Sequence, residues 1–206
     1  HLYGRPVDFA SRVAAALALP MVEGDDFHPP ANVERMRQGV ALTDADRAGW
    51  LAQLGDVLQQ HPAGAVLSCS ALKRAYRDTL RSALPGLRFV YLHITPAESQ
   101  RRVADRPGHF YPPSLVTSQF EALQDPAGEA GVLTLDGAQA LDEVAARAVG
   151  WLQGWFDQRL SILRISAEGV HRLVALRRGG AVVQGGKGGA GLLFQLLHIG
   201  AVSRVG

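Results

Sequence analysis

The chain has 206 residues, 47% of them hydrophobic and 19% charged. These values are typical of a globular protein that buries a sizeable core, and they exclude collagen, a coiled coil and a disordered chain. The single cysteine, Cys69, excludes an internal disulfide, and the histidines lack the spacing of a zinc site. We therefore expect a reducing, cytoplasmic environment, with no secretion signal and no membrane span.

Charge is distributed unevenly along the chain. Residues 1–158 carry 14 basic against 18 acidic side chains, whereas residues 159–206 carry 7 against 1. A basic segment can bind nucleic acid, but this one has a single adjacent pair of arginines and no interleaved aromatic residues, so we expect no nucleic-acid partner. We predict a domain over residues 1–158 and a basic, glycine-rich C-terminal extension over residues 159–206, whose fold the pattern does not indicate.

Helix-type and strand-type stretches alternate from residue 8 to residue 156, which predicts a parallel sheet between two layers of helices, a three-layer α/β/α fold. The predicted helices cover residues 8–18, 32–38, 43–60, 73–84, 96–105, 114–123 and 141–156. The predicted strands cover residues 21–23, 65–68, 87–94 and 132–135, and residues 162–175 suit a further strand pair. Thr43 and Ser70 are the predicted N-caps of the third and fourth helices.

An acidic sequence follows the first predicted strand: Glu-Gly-Asp-Asp-Phe-His-Pro, residues 23–29. Ligands of open parallel sheets bind beyond the carboxyl ends of the strands, so these acids would face a crevice. Carboxylates there can bind substrate hydroxyls, accept a proton or hold Mg²⁺. The alternative is a solvated acidic turn whose histidine caps a helix, and composition alone leaves both open.

Two pairs of cations suit an anionic ligand. Lys73 and Arg77 are four residues apart, so they share one helix face, and a cation in the first turn opposes the helix dipole. Arg102 and Arg106 precede a loop rich in proline and glycine, as in a lid that closes over phosphates. The alternatives are a surface helix whose basic residues pair with acids, and a helix C-terminus with favourable cations.

A phosphate-binding loop would require the pattern G-x-x-x-x-G-K-[ST] between a first strand and the first helix. Residues 1–8 contain one glycine, no lysine and neither serine nor threonine. The segment Gly185-Gly186-Lys187-Gly188 has the core of such a loop, but Ala181 stands at the place of its first glycine. We interpret that match as a coincidence in a glycine-rich stretch.

Several longer motifs together resemble the bacterial-type gluconate kinases, a shikimate-kinase-like group of the P-loop kinases. The matching stretches are residues 23–29 (EGDDFHP), 42–47 (LTDADR) with Trp50-Leu51, 68–78 (SCSALKRAYRD), 89–92 (FVYL), 106–110 (RPGHF) and 118–126 (SQFEALQDP). Their order and spacing cover residues 8–157. This fold class would place the acidic and basic motifs at one end of a parallel sheet.

The resemblance implies transfer of the γ-phosphate of ATP to the 6-hydroxyl of D-gluconate or a related sugar acid, with Mg²⁺, in a cytoplasmic homodimer. It implies that Asp25 orients or deprotonates the substrate hydroxyl and that Glu23 lies near the metal. The remaining implied roles are sugar-acid binding by His28, Arg47, Lys73, Arg77 and Gln119, and ATP-phosphate contacts by the lid arginines Arg102 and Arg106. Of these sugar-acid-binding residues, Lys73 and Arg77 would bind the carboxylate.

The chain departs from the resemblance at the phosphate site. Counting back from Glu23, Pro6 and Val7 occupy the places of the loop's lysine and serine, so we predict a truncated or altered first strand and phosphate loop. Proline has neither an amide hydrogen nor a charge to offer a phosphate. Two main hypotheses stay open: a sugar-acid kinase with a remodelled phosphate site, or a non-catalytic homologue that binds the sugar acid. A third, a nucleic-acid-binding protein that uses the basic tail, has the least support in the sequence.

Overall fold

A computed structural model describes the backbone of residues 4–104, 113–162 and 199–203, and the side chains of residues 8–102 and 116–155. Five parallel strands form one sheet in the order β1-β2-β5-β3-β4. The strands are β1 (Met21–Glu23), β2 (Val66–Cys69), β3 (Arg88–His93), β4 (Val132–Asp136) and β5 (Ile199–Ser203). The helices are α1 (Gly4–Leu17), α2 (Pro30–Arg37), α3 (Asp44–Gln59), α4 (Arg74–Ala83), α5 (Pro96–Ala104), α6 (Pro113–Ala122) and α7 (Leu141–Ile162).

Successive strand residues point to opposite sides of the sheet. Both sides carry apolar side chains, so helices cover both faces. On one face, Leu67 and Phe89 belong to a buried cluster that includes α3 and α4 side chains. On the other face, their neighbours Val66 and Val90 belong to a second cluster with α1 and α7. The predicted three-layer α/β/α fold is confirmed, and among the described residues no helix is both long and apolar enough to cross a membrane.

Local sequence signals account for most element boundaries. Strand β1 covers the three predicted residues, and α3 begins after Thr43, whose side chain and Asp46 form a reciprocal capping box. The prediction for α4 was wrong: Ser70 is not its N-cap. Leu72 donates its N–H to the carbonyl of Ser70, so a turn precedes the helix, and Lys73 is the N-cap in extended conformation. Lys73 therefore lies before the first helical turn, and the prediction that places its charge within that turn, against the helix dipole, does not hold.

The central strand comes from the C-terminal part of the chain, where the sequence indicated no fold. Strand β5 pairs in parallel with β2 on one side and with β3 on the other, and Gly200 is in register with both Leu67 and Phe89. Helix α7 also continues to Ile162, beyond the predicted domain boundary at residue 158. Residues 163–175 of the predicted strand pair lie outside the described residues.

Candidate active site

The acidic sequence forms a tight turn, residues 23–28, at the carboxyl end of β1; we call it the acidic turn. Its residues 24–27 form one 3₁₀ turn, which Glu23 precedes and His28 follows. A Cβ atom on Gly24 would lie 2.6 Å from the carbonyl oxygen of Ser68 and 3.0 Å from Cβ of Cys69. Only glycine therefore allows this turn to pack on the end of β2.

The carboxyl groups of Glu23 and Asp25 lie together in this turn. The N–H of Asp25 donates to Oε1 of Glu23 at 3.4 Å. Burial raises the pKa of Glu23, and burial together with the charges of Glu23 and Asp26 raises the pKa of Asp25 to about 7. Oε2 of Glu23 and Oδ2 of Asp25 are buried and accept no hydrogen bond from the part of the chain that the structure describes. Asp25 is therefore suited to exchange a proton near neutral pH.

His28 is held as a neutral ring beside these acids. Its imidazole stacks on the indole of Trp50, with ring centroids 4.3 Å apart and planes inclined by 14°. Burial, and secondarily the charge of Arg47, lowers the pKa of His28 to about 4. Nε2 lies 3.9 Å from Oδ1 of Asp25, which is beyond hydrogen-bond distance. At pH 7 the ring can therefore hydrogen-bond a ligand hydroxyl without adding charge.

Arg47 brings a buried positive charge to the same place. The residue is 8% exposed. Its guanidinium forms no hydrogen bond or close ion pair with a described residue, but its charge lowers the pKa of Asp44 and Asp46. The ring of Tyr76 lies 5.9 Å from its guanidinium carbon. The positive charge also lowers the pKa of Asp25, against the larger effect of burial. None of these acids hydrogen-bonds the guanidinium, so among the described residues its donors are open to an anionic group of a ligand.

Lys73 lies at the rim of this site, already engaged by an acid. Its Nζ donates to Oδ1 of Asp44 at 2.6 Å, and the hydroxyl of Tyr76 donates to the same oxygen. These two bonds lower the pKa of Asp44. The Lys73 side chain is about one-third exposed, at 32%. A ligand carboxylate would therefore compete with Asp44 for this ammonium group.

The hydrogen-bond donors of the Arg77 guanidinium are all taken by acceptors within the protein. It is fully buried, and Nε and Nη2 donate to the two carboxylate oxygens of Glu129. Nη1 donates to the carbonyls of Ala71 and Leu72, both at 2.9 Å, and Nη2 also donates to the carbonyl of Gln124 at 3.0 Å. The guanidinium therefore joins the turn before α4 to the segment after α6.

Lys73 and Arg77 are thus not brought together at one anion, because Lys73 bonds to Asp44 and Arg77 to Glu129. Their predicted joint grip on the sugar-acid carboxylate stays a prediction, and the saturation of Arg77 gives it no support. Four-residue spacing places two side chains on one helix face only when both belong to the helix. Lys73 precedes α4, so that condition is not met.

The other predicted site residues lie on α5 and α6. Arg102 donates from Nε to Glu98 and from Nη2 to the carbonyl of Gly137, which follows β4. It therefore lies toward the carboxyl end of the sheet and is engaged by the protein, and its predicted contact with the ATP phosphates stays a prediction. Gln119 is buried on α6. Arg106 lies outside the described residues.

Two residues of this region had no role predicted from the sequence, although Trp50 belongs to one of the matching stretches. Glu129 is 52 positions from Arg77, and no spacing rule connects them. Trp50 follows Arg47 by three positions on α3, so both lie on one helix face. That spacing was a usable signal for Trp50.

Comparison with known proteins gives one consistent family. No protein-family model matches the chain. It is 42% identical over 147 residues to the gluconokinase of Gluconobacter oxydans, covering 70% of this chain and 83% of that protein. It is 40% identical over 144 residues to the thermoresistant gluconokinase of Escherichia coli, covering 68% of this chain and 82% of that protein.

Solved structures agree with these relatives. A gluconokinase from Sinorhizobium meliloti is 43% identical, with a TM-score of 0.66, covering 70% of this chain and 83% of that one. A sugar kinase from a Janibacter species is 35% identical, with a TM-score of 0.68, covering 70% of this chain and 86% of that one. The sequence matches and the α/β structure therefore show that this chain belongs to the gluconokinase family.

Proposed function

We propose that the chain phosphorylates D-gluconate with ATP, using the acidic turn and Arg47 as the substrate site. The observation that carries this proposal is geometric: Glu23 and Asp25 each present a buried carboxylate oxygen without a hydrogen bond from a described residue, and the buried Arg47 acts electrostatically on Asp25. Gluconate is a polyhydroxy carboxylate, so it offers an anionic group to the cation and hydroxyls to the acid. Membership of the gluconokinase family supports the same substrate.

In this proposal each site residue has one task. Asp25 accepts the proton of the attacking hydroxyl as its oxygen bonds to the γ-phosphorus and ADP leaves. Arg47 binds the substrate carboxylate through charge-assisted hydrogen bonds. The neutral ring of His28 hydrogen-bonds a hydroxyl of the carbon chain, and Lys73 contributes a second cation at the rim. Arg77 shapes the site by holding the turn before α4.

The described acids fit a magnesium ion brought by the nucleotide. Glu23 and Asp25 each present a buried oxygen that accepts no hydrogen bond from a described residue. Within the described part of the chain no group of three or more metal-ligating side chains occurs. Mg²⁺ at phosphate-transfer sites is typically bound by one or two carboxylates together with substrate phosphates, and it neutralises charge on the phosphates. Glu23 is our candidate to hold it, with Arg102 and Arg106 as candidates for the ATP phosphates.

The first test is MgATP-dependent phosphorylation of D-gluconate by the Asp25→Asn variant. Loss of a positioned general base typically costs about 10²–10⁴-fold in rate, so we expect kcat to fall by that factor. Asp26→Asn is the matched control, because Asp26 is the adjacent acid but is exposed to solvent, and we expect near-wild-type turnover. Equal losses in both variants would remove Asp25 from this role.

Pro6 and Val7 occupy the places of the phosphate loop's lysine and serine. This departure favours one second candidate, a homologue that binds the sugar acid but does not phosphorylate it. Under that hypothesis, gluconate raises the melting temperature, ATP does not, and no ADP forms. Under the kinase hypothesis, both ligands stabilise the chain and ADP formation depends on gluconate. The homodimer and the cytoplasmic location that the resemblance implies stay predictions.

A further inference from the structure

Trp50 contacts the acidic turn at two separate points. It is fully buried on α3, and its indole Nε1–H donates to the carbonyl of Gly24 at 2.8 Å. The same indole stacks on the imidazole of His28. Gly24 immediately precedes Asp25, and His28 follows it by three residues, so one side chain restrains the turn on both sides of the proposed base.

The strand β2 restrains the same turn from another direction. The hypothetical Cβ of Gly24 would clash with the backbone of Ser68, so the turn has no free space on that side. A buried indole N–H needs an acceptor, and here the acceptor is a backbone carbonyl between the two site acids Glu23 and Asp25. The turn is therefore fixed between α3 and the sheet.

Helix α3 also carries Arg47, one turn before Trp50. Residues three apart on a helix lie on the same face, so the indole and the guanidinium are parts of one rigid element. The position of the acidic turn relative to Arg47 is thus set through Trp50. A displacement of the order of 1 Å between groups that position a substrate can cost about 10²-fold in rate.

We infer that Trp50 is a positioning residue, whose indole fixes the acidic turn so that Asp25 and His28 keep their places relative to Arg47. This inference rests on the proposed gluconate site. Trp50 acts on the reaction through the turn and is not itself a catalytic residue. Its loss should therefore change the use of gluconate more than the use of ATP.

The test compares Trp50→Phe with Trp151→Phe. The first variant keeps an aromatic ring next to His28 but removes the N–H donor; the second removes an indole from the partly buried side of α7, in the other core cluster. We expect Trp50→Phe to lower kcat with gluconate about tenfold or more, with the KM for ATP within twofold of wild type. Trp151→Phe should leave both constants within twofold. A normal kcat in a Trp50→Phe variant that is merely less stable would overturn the inference.

A second variant perturbs the same turn without changing the indole. Gly24→Ala displaces the same turn from the side of β2 and leaves the indole intact, so it should reproduce the loss of kcat with an unchanged KM for ATP. A folded Gly24→Ala protein with wild-type kcat would contradict the inference.

Direct binding separates failure of this inference from failure of the proposed kinase function. Calorimetry with D-gluconate should give a Kd about tenfold higher for Trp50→Phe than for Trp151→Phe, whether or not the chain turns over. A wild-type chain without turnover would reject the kinase proposal alone. Equal Kd values in the two variants would reject the positioning role of Trp50, even in an active enzyme.

Discussion

Arg47 and Arg77 are both buried arginines, yet their surroundings differ completely. Arg77 donates to both oxygens of Glu129 and to three backbone carbonyls. The guanidinium of Arg47 forms no hydrogen bond or close ion pair with the residues that the structure describes. It lies near the ring of Tyr76, and its charge lowers the pKa of Asp44 and Asp46. One buried guanidinium is thus fully hydrogen-bonded inside the fold, and among the described residues the donors of the other are open to an anion from outside.

This difference separates two uses of the same side chain. A saturated guanidinium holds segments together, because removing it leaves several buried acceptors without a donor. An open guanidinium contributes less to the fold and keeps its donors for a ligand. The two arginines should therefore respond differently to the same substitution.

The largest expected effect is on folding, in the Arg77→Met variant. The substitution leaves the carbonyls of Ala71 and Gln124 without a donor and leaves Glu129 with Arg81 alone. Breaking a buried ion pair costs about 3–5 kcal/mol. Urea unfolding should show this loss in the free energy of unfolding. The control is Arg74→Met, an arginine on the same helix whose side chain is 70% exposed and pairs with Asp78 at 3.7 Å. That exposed pair should contribute about 0–1 kcal/mol.

A small loss of stability in Arg77→Met would assign Arg77 a different role. If Arg77→Met unfolds like Arg74→Met but raises the KM for gluconate, Arg77 binds substrate and its network with Glu129 is secondary. The contrast between the two arginines would then disappear.

The next effect is on substrate binding, in the Arg47→Met variant. A hydrogen bond to a charged group contributes about 1.5–3 kcal/mol, so the KM for gluconate should rise about 10- to 100-fold while the KM for ATP stays constant. The free energy of unfolding should fall much less than in Arg77→Met, because Arg47 acts on Asp25, Asp44 and Asp46 through its charge and forms no hydrogen bond with a described residue. Steady-state kinetics and urea unfolding on one preparation measure both quantities. A large loss of stability with an unchanged KM for gluconate would show that Arg47 is a structural residue.

The fold was largely predictable because its signals are local. Strand β1 and helix α3 have short-range signals, namely a strand-type apolar stretch and a capping box at Thr43. Strand β5 was not predictable in the same way. Its residues are apolar without a clear period, and its place depends on pairing with β2 and β3, which are more than 100 residues away in sequence.

The residue types at the site could be predicted from the sequence, but the contacts between those residues could not. The acidic sequence after β1 indicated that carboxylates lie at the sheet edge, and the structure places Glu23 and Asp25 there. Spacing could not reveal that Arg77 meets Glu129, because that contact joins α4 to a distant loop. The sequence therefore identified two arginines of interest, and only the structure separates their surroundings.

The smallest effect concerns the acid partner of Arg77. Hydrogen bonds from Arg77, assisted by Arg81, lower the pKa of Glu129 from its ordinary 4.5 to about 2. A carboxyl whose pKa is depressed by folding stabilises the native state above its unfolded pKa, and this stabilisation is lost as pH falls toward the folded pKa. Glu129→Gln should therefore be less stable than wild type at pH 6, and the difference should shrink between pH about 4.5 and about 2.

Urea unfolding of both proteins at several pH values measures that difference directly. Glu121→Gln is the control, because Glu121 is an exposed acid on α6 that forms no ion pair with a described residue, so its difference from wild type should change far less over the same pH range. A difference between Glu129→Gln and wild type that stays constant down to pH 2 would mean that Glu129 is not held ionised by Arg77. The saturated arginine would then lack its main anionic partner, and the physical reason for distinguishing it from Arg47 would be lost.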